Sequence, residues 1–217
     1  MLIFYNNFLH KNTIILYDNE KNKGYTLIPK CGTKSLLDLA ETKPLRFSVQ
    51  EIKKHTDSAT DITVFLRDPI DRFISGLITQ MNMYGFDDKA MMKMINTNDI
   101  FPIIPIIDTH TSPQFWFLLK DGLDTNVQFT FKDISSITDV DSSISQLNVN
   151  SVKDKDKLKL TKETKNRLAH FFTEDIVLYN QFLNSTTTLK TVINAIKKET
   201  KFVDDMSQHT RAINYLF

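Results

Sequence analysis

The sequence has little cysteine and no long apolar segment. Its single cysteine, Cys31, excludes an internal disulfide framework and a cysteine-rich zinc site, and it fits a reducing compartment. No apolar run reaches the roughly 18–20 residues that a membrane-spanning helix needs. The start of the chain lacks the basic-then-apolar order of a signal peptide. These absences predict a cytoplasmic protein without a membrane span.

An excess of charge of one sign is also lacking. The formal net charge is only +1, so no overall field attracts nucleic acid or a membrane surface, and an anion site must be built locally. The sequence contains no spacing of residues typical of a metal site. The 217 residues, of which 41% are hydrophobic, suffice for one core. We therefore predict one domain over residues 1–217, with no metal and no nucleic-acid partner.

Short β-branched segments alternate with amphipathic ones along the first half of the chain. Asp61–Leu66 is a continuous apolar run, which suits a strand buried on both faces of a parallel sheet. Asp68 and Pro69 then favour a helix that begins at Pro69 and ends near Tyr84. Helical patterns dominate the second half, so we predict an α/β domain of three layers: a central parallel sheet flanked by helices, with a helix-rich C-terminal half. Further strands are predicted at Thr13–Tyr17, Tyr25–Ile28 and Asn126–Lys132, and further helices at Lys34–Glu41, Gln114–Leu119, Ser135–Leu147, Lys162–Phe182 and Thr187–Lys198.

The turn after the strand Tyr25–Ile28 is rich in groups that bind anions. A helix start offers unpaired backbone N–H groups and the positive end of the helix dipole. The glycine lets the backbone approach a ligand, the lysines add charge, and the hydroxyl side chains add donors. The candidate anion-binding residues of this turn are Lys30, Cys31, Gly32, Thr33, Lys34 and Ser35. An ordinary strand–helix turn with surface lysines is the alternative.

The same turn does not match the phosphate-binding loop of ATP-dependent kinases. That motif reads G-x-x-x-x-G-K-[ST]. When Lys34 and Ser35 are aligned with its end, Ile28 and Thr33 occupy the two glycine positions. A kinase or another phosphoryl transferase is therefore the weaker alternative.

A second candidate anion site follows the strand Asp61–Leu66. Arg67 comes directly after this strand, where open α/β sheets bind ligands. Ser75 lies eight residues later, about two turns into the predicted helix. Arginine can form two parallel hydrogen bonds to a phosphate, and serine adds a hydroxyl donor. Arg72 either pairs with Asp68 or Asp71 on the surface or supports the site.

Both segments resemble motifs of sulfotransferases that use 3′-phosphoadenosine-5′-phosphosulfate. Pro29–Ser35 is similar to the 5′-phosphosulfate loop, P-K-x-G-[ST]-[ST]-S, from which only Lys34 departs. Arg67–Gly76 is similar to the 3′-phosphate motif, R-[DN]-P-x-x-R-x-x-S. The resemblance implies a P-loop-like fold, this cofactor and no metal. It also implies that Arg67 and Ser75 bind the 3′-phosphate.

A third segment suggests the catalytic base. His110 lies in D-T-H-T-S-P-Q, which resembles the H-x-x-P-Q element of carbohydrate sulfotransferases, and Asp108 is a candidate to orient it. By this resemblance His110 takes the proton of the acceptor hydroxyl, while Lys30 stabilises the departing phosphate. Glu41 and Glu51 are the rival bases.

The resemblance points to the carbohydrate-specific branch of the family. The R-K-G-x-x-G-D-W segment of the small-molecule branch is missing, and Thr173–Tyr179 is similar to the D-x-x-[LF]-[YF] helix of the carbohydrate branch. The expected activity is transfer of a sulfuryl group to a hydroxyl of a glycan acceptor by a compact bacterial or viral enzyme. A phosphoryl transferase and a catalytically silent nucleotide- or glycan-binding module remain the alternatives.

Overall fold

The computed structural model describes residues 14–52, 61–84, 110–119, 126–144 and 160–199, together with Asp87, Lys89 and Lys93. Six strands of these residues form one sheet. The strands are β1 (Ile14–Asp18), β2 (Lys23–Thr26), β3 (Phe47–Glu51), β4 (Asp61–Leu66), β5 (Gln128–Asp133) and β6 (Thr186–Thr188). The helices are α1 (Thr33–Thr42), α2 (Pro69–Tyr84), α3 (Lys162–Phe171), α4 (Thr173–Phe182) and α5 (Leu189–Glu199). The chain therefore has the predicted α/β fold.

The sheet is mixed, whereas the sequence predicted a parallel one. Its strand order is β3-β1-β2-β4-β5-β6. The three strands β2, β4 and β5 run parallel, while β1 is antiparallel to both of its neighbours and β6 is antiparallel to β5. A short turn joins β1 to β2, and strands joined by such a turn can pair only in the antiparallel sense. The parallel prediction is thus correct only for the centre of the sheet.

The strongest local signals produce the elements beside the candidate sites. Strand β4 has the predicted bounds and is buried from Ile62 to Leu66. Helix α2 also has the predicted bounds, and the side chain of Asp68 caps it by accepting a hydrogen bond from the N–H of Asp71 at 2.9 Å. Burial of β4 on both faces fixes where Arg67 leaves the sheet.

Four predicted helices differ from the observed ones. The segment predicted as a helix at 114–119 contains a short 3₁₀ helix, Phe115–Phe117, and another, Ile134–Asp139, overlaps the start of the helix predicted at 135–147, whose last three residues lie outside the described ranges. The predicted helix at 162–182 is interrupted at Phe172, whose backbone has φ −96° and ψ 29°. The predicted helix at 187–198 begins only at Leu189, because the preceding threonines pair with β5.

Apolar side chains form two clusters around the sheet. The larger one contains the buried residues of β1, β2, β4 and β5 together with those of α1, α4 and α5. The smaller one joins α2 to α3 through Phe73, Leu77, Ile78, Leu168 and Phe172. No helix within the described residues is sufficiently long and apolar to span a bilayer.

The connections after β2 and β4 leave the sheet in opposite directions. From β2 the chain passes through α1 to β3, which is the strand at one edge of the sheet. From β4 it passes through α2 and later reaches β5, which lies towards the opposite edge. A crevice forms at such a topological switch point, outside the carboxyl ends of the parallel strands. Lys30 and Arg67 both follow these strand ends.

Candidate anion-binding site

The loop after β2 begins with a tight turn that places Lys30 in a strained conformation. The N–H of Cys31 donates to the carbonyl of Ile28 at 3.0 Å, and Lys30 has a φ of +66°. Proline in the second position and a positive φ in the third are typical of a type II turn, in which glycine is usual at the third position. A lysine there costs about 1–2 kcal/mol. The fold holds Lys30 in place in spite of this cost.

Gly32 connects the turn to helix α1. Its φ is +83°, and an added Cβ would lie 2.0 Å from Cδ1 of Ile137 and 2.9 Å from Cδ1 of Ile134. Its φ and these two isoleucines require a glycine here, and the close approach of a ligand to Gly32 stays a prediction. The residue at the start of α1 is Gly32, which has no side chain to cap the helix.

The other residues of the loop are placed differently from one another. The hydroxyl of Thr33 donates to the carbonyl of Ile28 at 2.6 Å, and Cys31 is fully buried with its thiol donating to Oε1 of Gln114 at 3.1 Å. Burial raises the pKa of Cys31 to about 11. Ser35 is half-buried and Lys34 is exposed. The hydroxyl of Thr33 therefore serves the loop itself, and the thiol of Cys31 joins the loop to Gln114.

Arg67 brings the second motif into contact with the first. Its Nη1 lies 3.5 Å from the carbonyl oxygen of Lys30. The side-chain amide of Gln114 holds the Arg67 backbone: Nε2 donates to the Arg67 carbonyl at 2.8 Å, and Oε1 accepts from the Arg67 N–H at 3.0 Å. The two motifs predicted from the sequence thus meet outside the carboxyl ends of the neighbouring strands β2 and β4.

Lys30 and Arg67 form a cationic cluster. The Lys30 ammonium donates to Oγ1 of Thr79 at 2.8 Å, and Thr79 donates to the carbonyl of Ser75 at 3.1 Å. Burial lowers the pKa of Lys30, and the charges of Arg67 and Arg72 lower it further. Neither Lys30 nor Arg67 forms a salt bridge with a carboxylate of the described residues. The cluster is suited to an anionic ligand.

Arg72 is fully buried, which contradicts the alternative in which it pairs with Asp68 or Asp71 on the surface. Its Nε donates to the carbonyl of Pro29 at 2.9 Å, and its Nη1 donates to the carbonyl of Ser112. Burial lowers its pKa, while nearby acidic groups oppose this shift. Arg72 joins the loop after β2, helix α2 and the segment after His110, and it therefore supports the site.

The backbone of His110 packs on helix α2 at Gly76, the residue after Ser75. Ser75 is only 2% exposed, one turn before Thr79 on α2. A Cβ added to the adjacent Gly76 would lie 2.2 Å from the carbonyl oxygen of His110. The candidate base therefore comes from a segment that packs on the second motif, whereas Asp108 lies outside the described residues.

The two rival bases lie elsewhere. Glu41 is exposed near the end of α1, and Glu51 ends strand β3, which β1 separates from β2. The aromatic residues Phe115, Trp116 and Phe117 are at most 5% exposed. All three side chains therefore belong to the core.

Gln114 and Asp175 support the site, and sequence reasoning gave neither a role. The carboxylate of Asp175 accepts from the N–H groups of Gln114 and Phe115 at 2.7 and 2.8 Å. Burial raises its pKa, while Arg72 and these hydrogen bonds oppose the increase. The only sequence signal for these two residues was that each lies in a segment similar to a sulfotransferase element. Their contacts join segments that are distant in the sequence.

A carboxylate also lies at the end of β5. The Tyr179 hydroxyl donates to Oδ2 of Asp133 at 3.0 Å, and the N–H of Ser135 donates to Oδ1 at 2.8 Å. Burial would raise the pKa of Asp133, but these hydrogen bonds and the charge of Arg67 lower it. Burial and Asp133 raise the pKa of Tyr179 to about 12. Three adjacent strand ends therefore carry charged groups.

No group of histidine, cysteine or carboxylate side chains that could hold a metal ion occurs within the described ranges. No protein-family model, curated protein or solved structure matches the chain. The choice among possible functions therefore depends on the residues of the site and their geometry.

Proposed function

We propose that the protein is a sulfotransferase that transfers a sulfuryl group from 3′-phosphoadenosine-5′-phosphosulfate to a hydroxyl, with a glycan as the class of acceptor. The observation that carries this proposal is the contact between the two anion motifs, in which Nη1 of Arg67 lies 3.5 Å from the carbonyl of Lys30. A single nucleotide that carries an anionic group at each end can contact both motifs only if the two motifs lie close together.

The position of the site in the sheet also supports the proposal. The loops after β2 and β4 are neighbours at a topological switch point, which is where open α/β sheets bind nucleotides. The strand, turn and helix formed by β2, Pro29–Gly32 and α1 are what a P-loop-like fold requires. We infer that the chain has a P-loop-like fold on this basis.

The residues fit a nucleotide with two oxyanion groups. Lys30 and the first turn of α1 would hold the 5′-phosphosulfate, and Arg67 with Ser75 would hold the 3′-phosphate. Lys30 now donates to the neutral hydroxyl of Thr79. A phosphate or sulfate oxygen would add the attraction of opposite charges to the hydrogen bond, which the uncharged hydroxyl of Thr79 cannot supply. An anionic ligand therefore competes well for this ammonium.

The chemistry requires orientation and electrostatic stabilisation rather than a covalent intermediate. When bound, the cofactor supplies the sulfuryl group and a phosphate leaving group. Lys30 would stabilise the negative charge that develops on the leaving phosphate, and His110 would accept the proton of the acceptor hydroxyl. The resemblance of the His110 segment to carbohydrate sulfotransferases supports a sugar as the acceptor.

Calorimetry with adenosine 3′,5′-bisphosphate tests the nucleotide site directly. We expect binding without a metal ion, and Arg67→Ala should weaken it by about 2 kcal/mol, or about thirtyfold, because a charged hydrogen-bonded pair is lost. The affinity for adenosine 5′-phosphate should hardly change in this variant. Lys190→Ala, an exposed lysine of α5, is the control and should bind like the unmodified protein.

Transfer of labelled sulfate to a panel of glycans, lipids and small alcohols then tests the reaction. Lys30→Ala should lower turnover by orders of magnitude while the protein stays folded. Equal affinity for nucleotides with and without the 3′-phosphate would refute the proposal. Magnesium-dependent phosphoryl transfer from ATP would identify a kinase instead.

A further inference from the structure

The side chain of Gln114 is hydrogen-bonded to both anion motifs. Its Oε1 accepts from the Arg67 N–H at 3.0 Å and from the Cys31 thiol at 3.1 Å, and its Nε2 donates to the Arg67 carbonyl at 2.8 Å. These partners match the donor and acceptor capacity of an amide, since the oxygen accepts twice and the nitrogen donates. Gln114 is buried, so these bonds form away from bulk water.

The amide of Gln114 acts on Arg67 as a peptide group of a neighbouring strand would. The ladder between β4 and β5 ends at the pair of Leu66 and Asp133, so Arg67 is the first residue beyond it. By bonding both the N–H and the carbonyl of Arg67, Gln114 fixes the peptide groups on either side of its Cα. The direction in which the Arg67 side chain leaves the backbone is fixed with them.

Gln114 is itself held from the other side. The carboxylate of Asp175, near the start of α4, accepts from the N–H groups of Gln114 and Phe115 at 2.7 and 2.8 Å. Asp175 is 1% exposed, and each of its oxygens has one of these donors. The backbone of Gln114 is therefore tied to the first turn of α4.

We propose that Gln114 is a positioning residue for the 3′-phosphate site, which holds Arg67 in the orientation that binds this phosphate. The inference rests on the proposed function. A binding side chain acts well only when it is held within about 0.5 Å and 10–20° of the productive geometry. A long arginine side chain amplifies any rotation of its backbone, so support at the Arg67 peptide groups has a direct effect at the guanidinium.

The selectivity for the 3′-phosphate distinguishes positioning from a general contribution to stability. The quantity to measure is the ratio of the Kd for adenosine 5′-phosphate to the Kd for adenosine 3′,5′-bisphosphate. A residue that only stabilises the fold would change both values together and leave the ratio constant. A residue that orients Arg67 changes mainly the second value.

We expect Gln114→Leu, which is similar in size but lacks the amide, to lower this ratio by about tenfold. The shorter Gln114→Asn keeps the amide but cannot reach both Arg67 groups, and it should lower the ratio by a smaller factor. This milder variant serves if Gln114→Leu does not fold. Gln181→Leu, at an exposed position of α4, is the matched control and should retain the ratio.

The results separate the two proposals. If the unmodified protein prefers the bisphosphate and Arg67→Ala removes this preference, an unchanged ratio in a folded Gln114 variant would overturn the positioning role alone. If the unmodified protein shows no preference for the 3′-phosphate, the proposed function is overturned, and the positioning role with it.

Discussion

Replacing Gly76 by alanine tests the contact that brings His110 to helix α2. An added Cβ would lie 2.2 Å from the carbonyl oxygen of His110 and 2.7 Å from its carbonyl carbon. Real Cβ atoms practically never approach another heavy atom within 3.0 Å. The helix and the His110 segment would therefore have to separate by at least about 0.8 Å, which a close-packed interior resists.

Two opposing effects decide the sign of the change in stability. Alanine is favoured over glycine within a helix by about 1 kcal/mol. Overpacking costs about 1–3 kcal/mol, and here the obstructing atom belongs to the main chain, in a segment that Arg72 holds through Ser112. We therefore expect a cost of about 2–3 kcal/mol, the upper part of this range, which after the gain lowers the free energy of unfolding by about 1–2 kcal/mol.

Urea denaturation measures this change. Asn180→Ala, at an exposed position of α4, is the control for helix propensity and should stabilise the protein by about 0.5 kcal/mol. The affinity for adenosine 3′,5′-bisphosphate should fall in Gly76→Ala, because Ser75 and Thr79 move relative to the loop after β2. A Gly76→Ala variant that is more stable than the unmodified protein would refute the packing of His110 on α2.

Two further predictions concern buried ionisable groups. Because burial raises the pKa of the Cys31 thiol to about 11, the folded protein should resist alkylation by iodoacetamide at about pH 8. Mass spectrometry should show rapid modification only in urea, and modification of the folded protein at the rate of a free thiol would contradict the burial. Hydrogen bonds from Lys43 and Ser143 lower the pKa of Asp141 below its ordinary value of 3.8. Since the folded pKa is the lower one, this stabilisation is complete above the ordinary pKa and is lost as the pH falls through the folded pKa. Asp141→Asn should therefore be less stable by about 1–3 kcal/mol at about pH 6 and should lose less stability than the unmodified protein on acidification to about pH 3; equal acid sensitivity in urea denaturation would contradict this.

Local sequence signals were sufficient for the elements that carry the second motif. The continuous apolar run Asp61–Leu66 became β4, and the Asp68–Pro69 start became α2 with its predicted end at Tyr84. Both signals act within a few residues of the boundary, since burial on two faces defines the strand and the Asp68 cap defines the helix start. Sequence reasoning therefore placed Arg67 correctly at a strand end.

Elements that depend on distant partners could not be predicted in this way. Strand β3 was not predicted, because it is mostly polar and its Val49 is 46% exposed. It forms by pairing along its whole length with β1. Phe172 interrupts the predicted long helix where its ring packs against Phe73, with 5.8 Å between the ring centroids. Tertiary packing decided both outcomes.

The sequence predicted individual residues of the candidate site but not the contacts between them. Lys30 and Arg67 were each identified from the residues around them. Their contact depends on the strand order, in which β2 and β4 are neighbours although β3 lies between them in the sequence. The hydrogen bonds of Gln114 and Asp175 depend on the same arrangement, so no local pattern could have indicated them.

The local sequence did not decide whether Arg72 forms a surface ion pair or supports the candidate site. Asp68 and Asp71 lie within one helical turn, so a surface ion pair was as reasonable as support of the site. In the structure Arg72 is fully buried, between the carbonyls of Pro29 and Ser112. Burying a cation costs several kcal/mol before its hydrogen bonds compensate, and an apolar side chain would fill the same space without this cost. In return, the bonds to these two carbonyls join the loop after β2 to the segment after His110, which is a structural reason for an arginine at this position of α2.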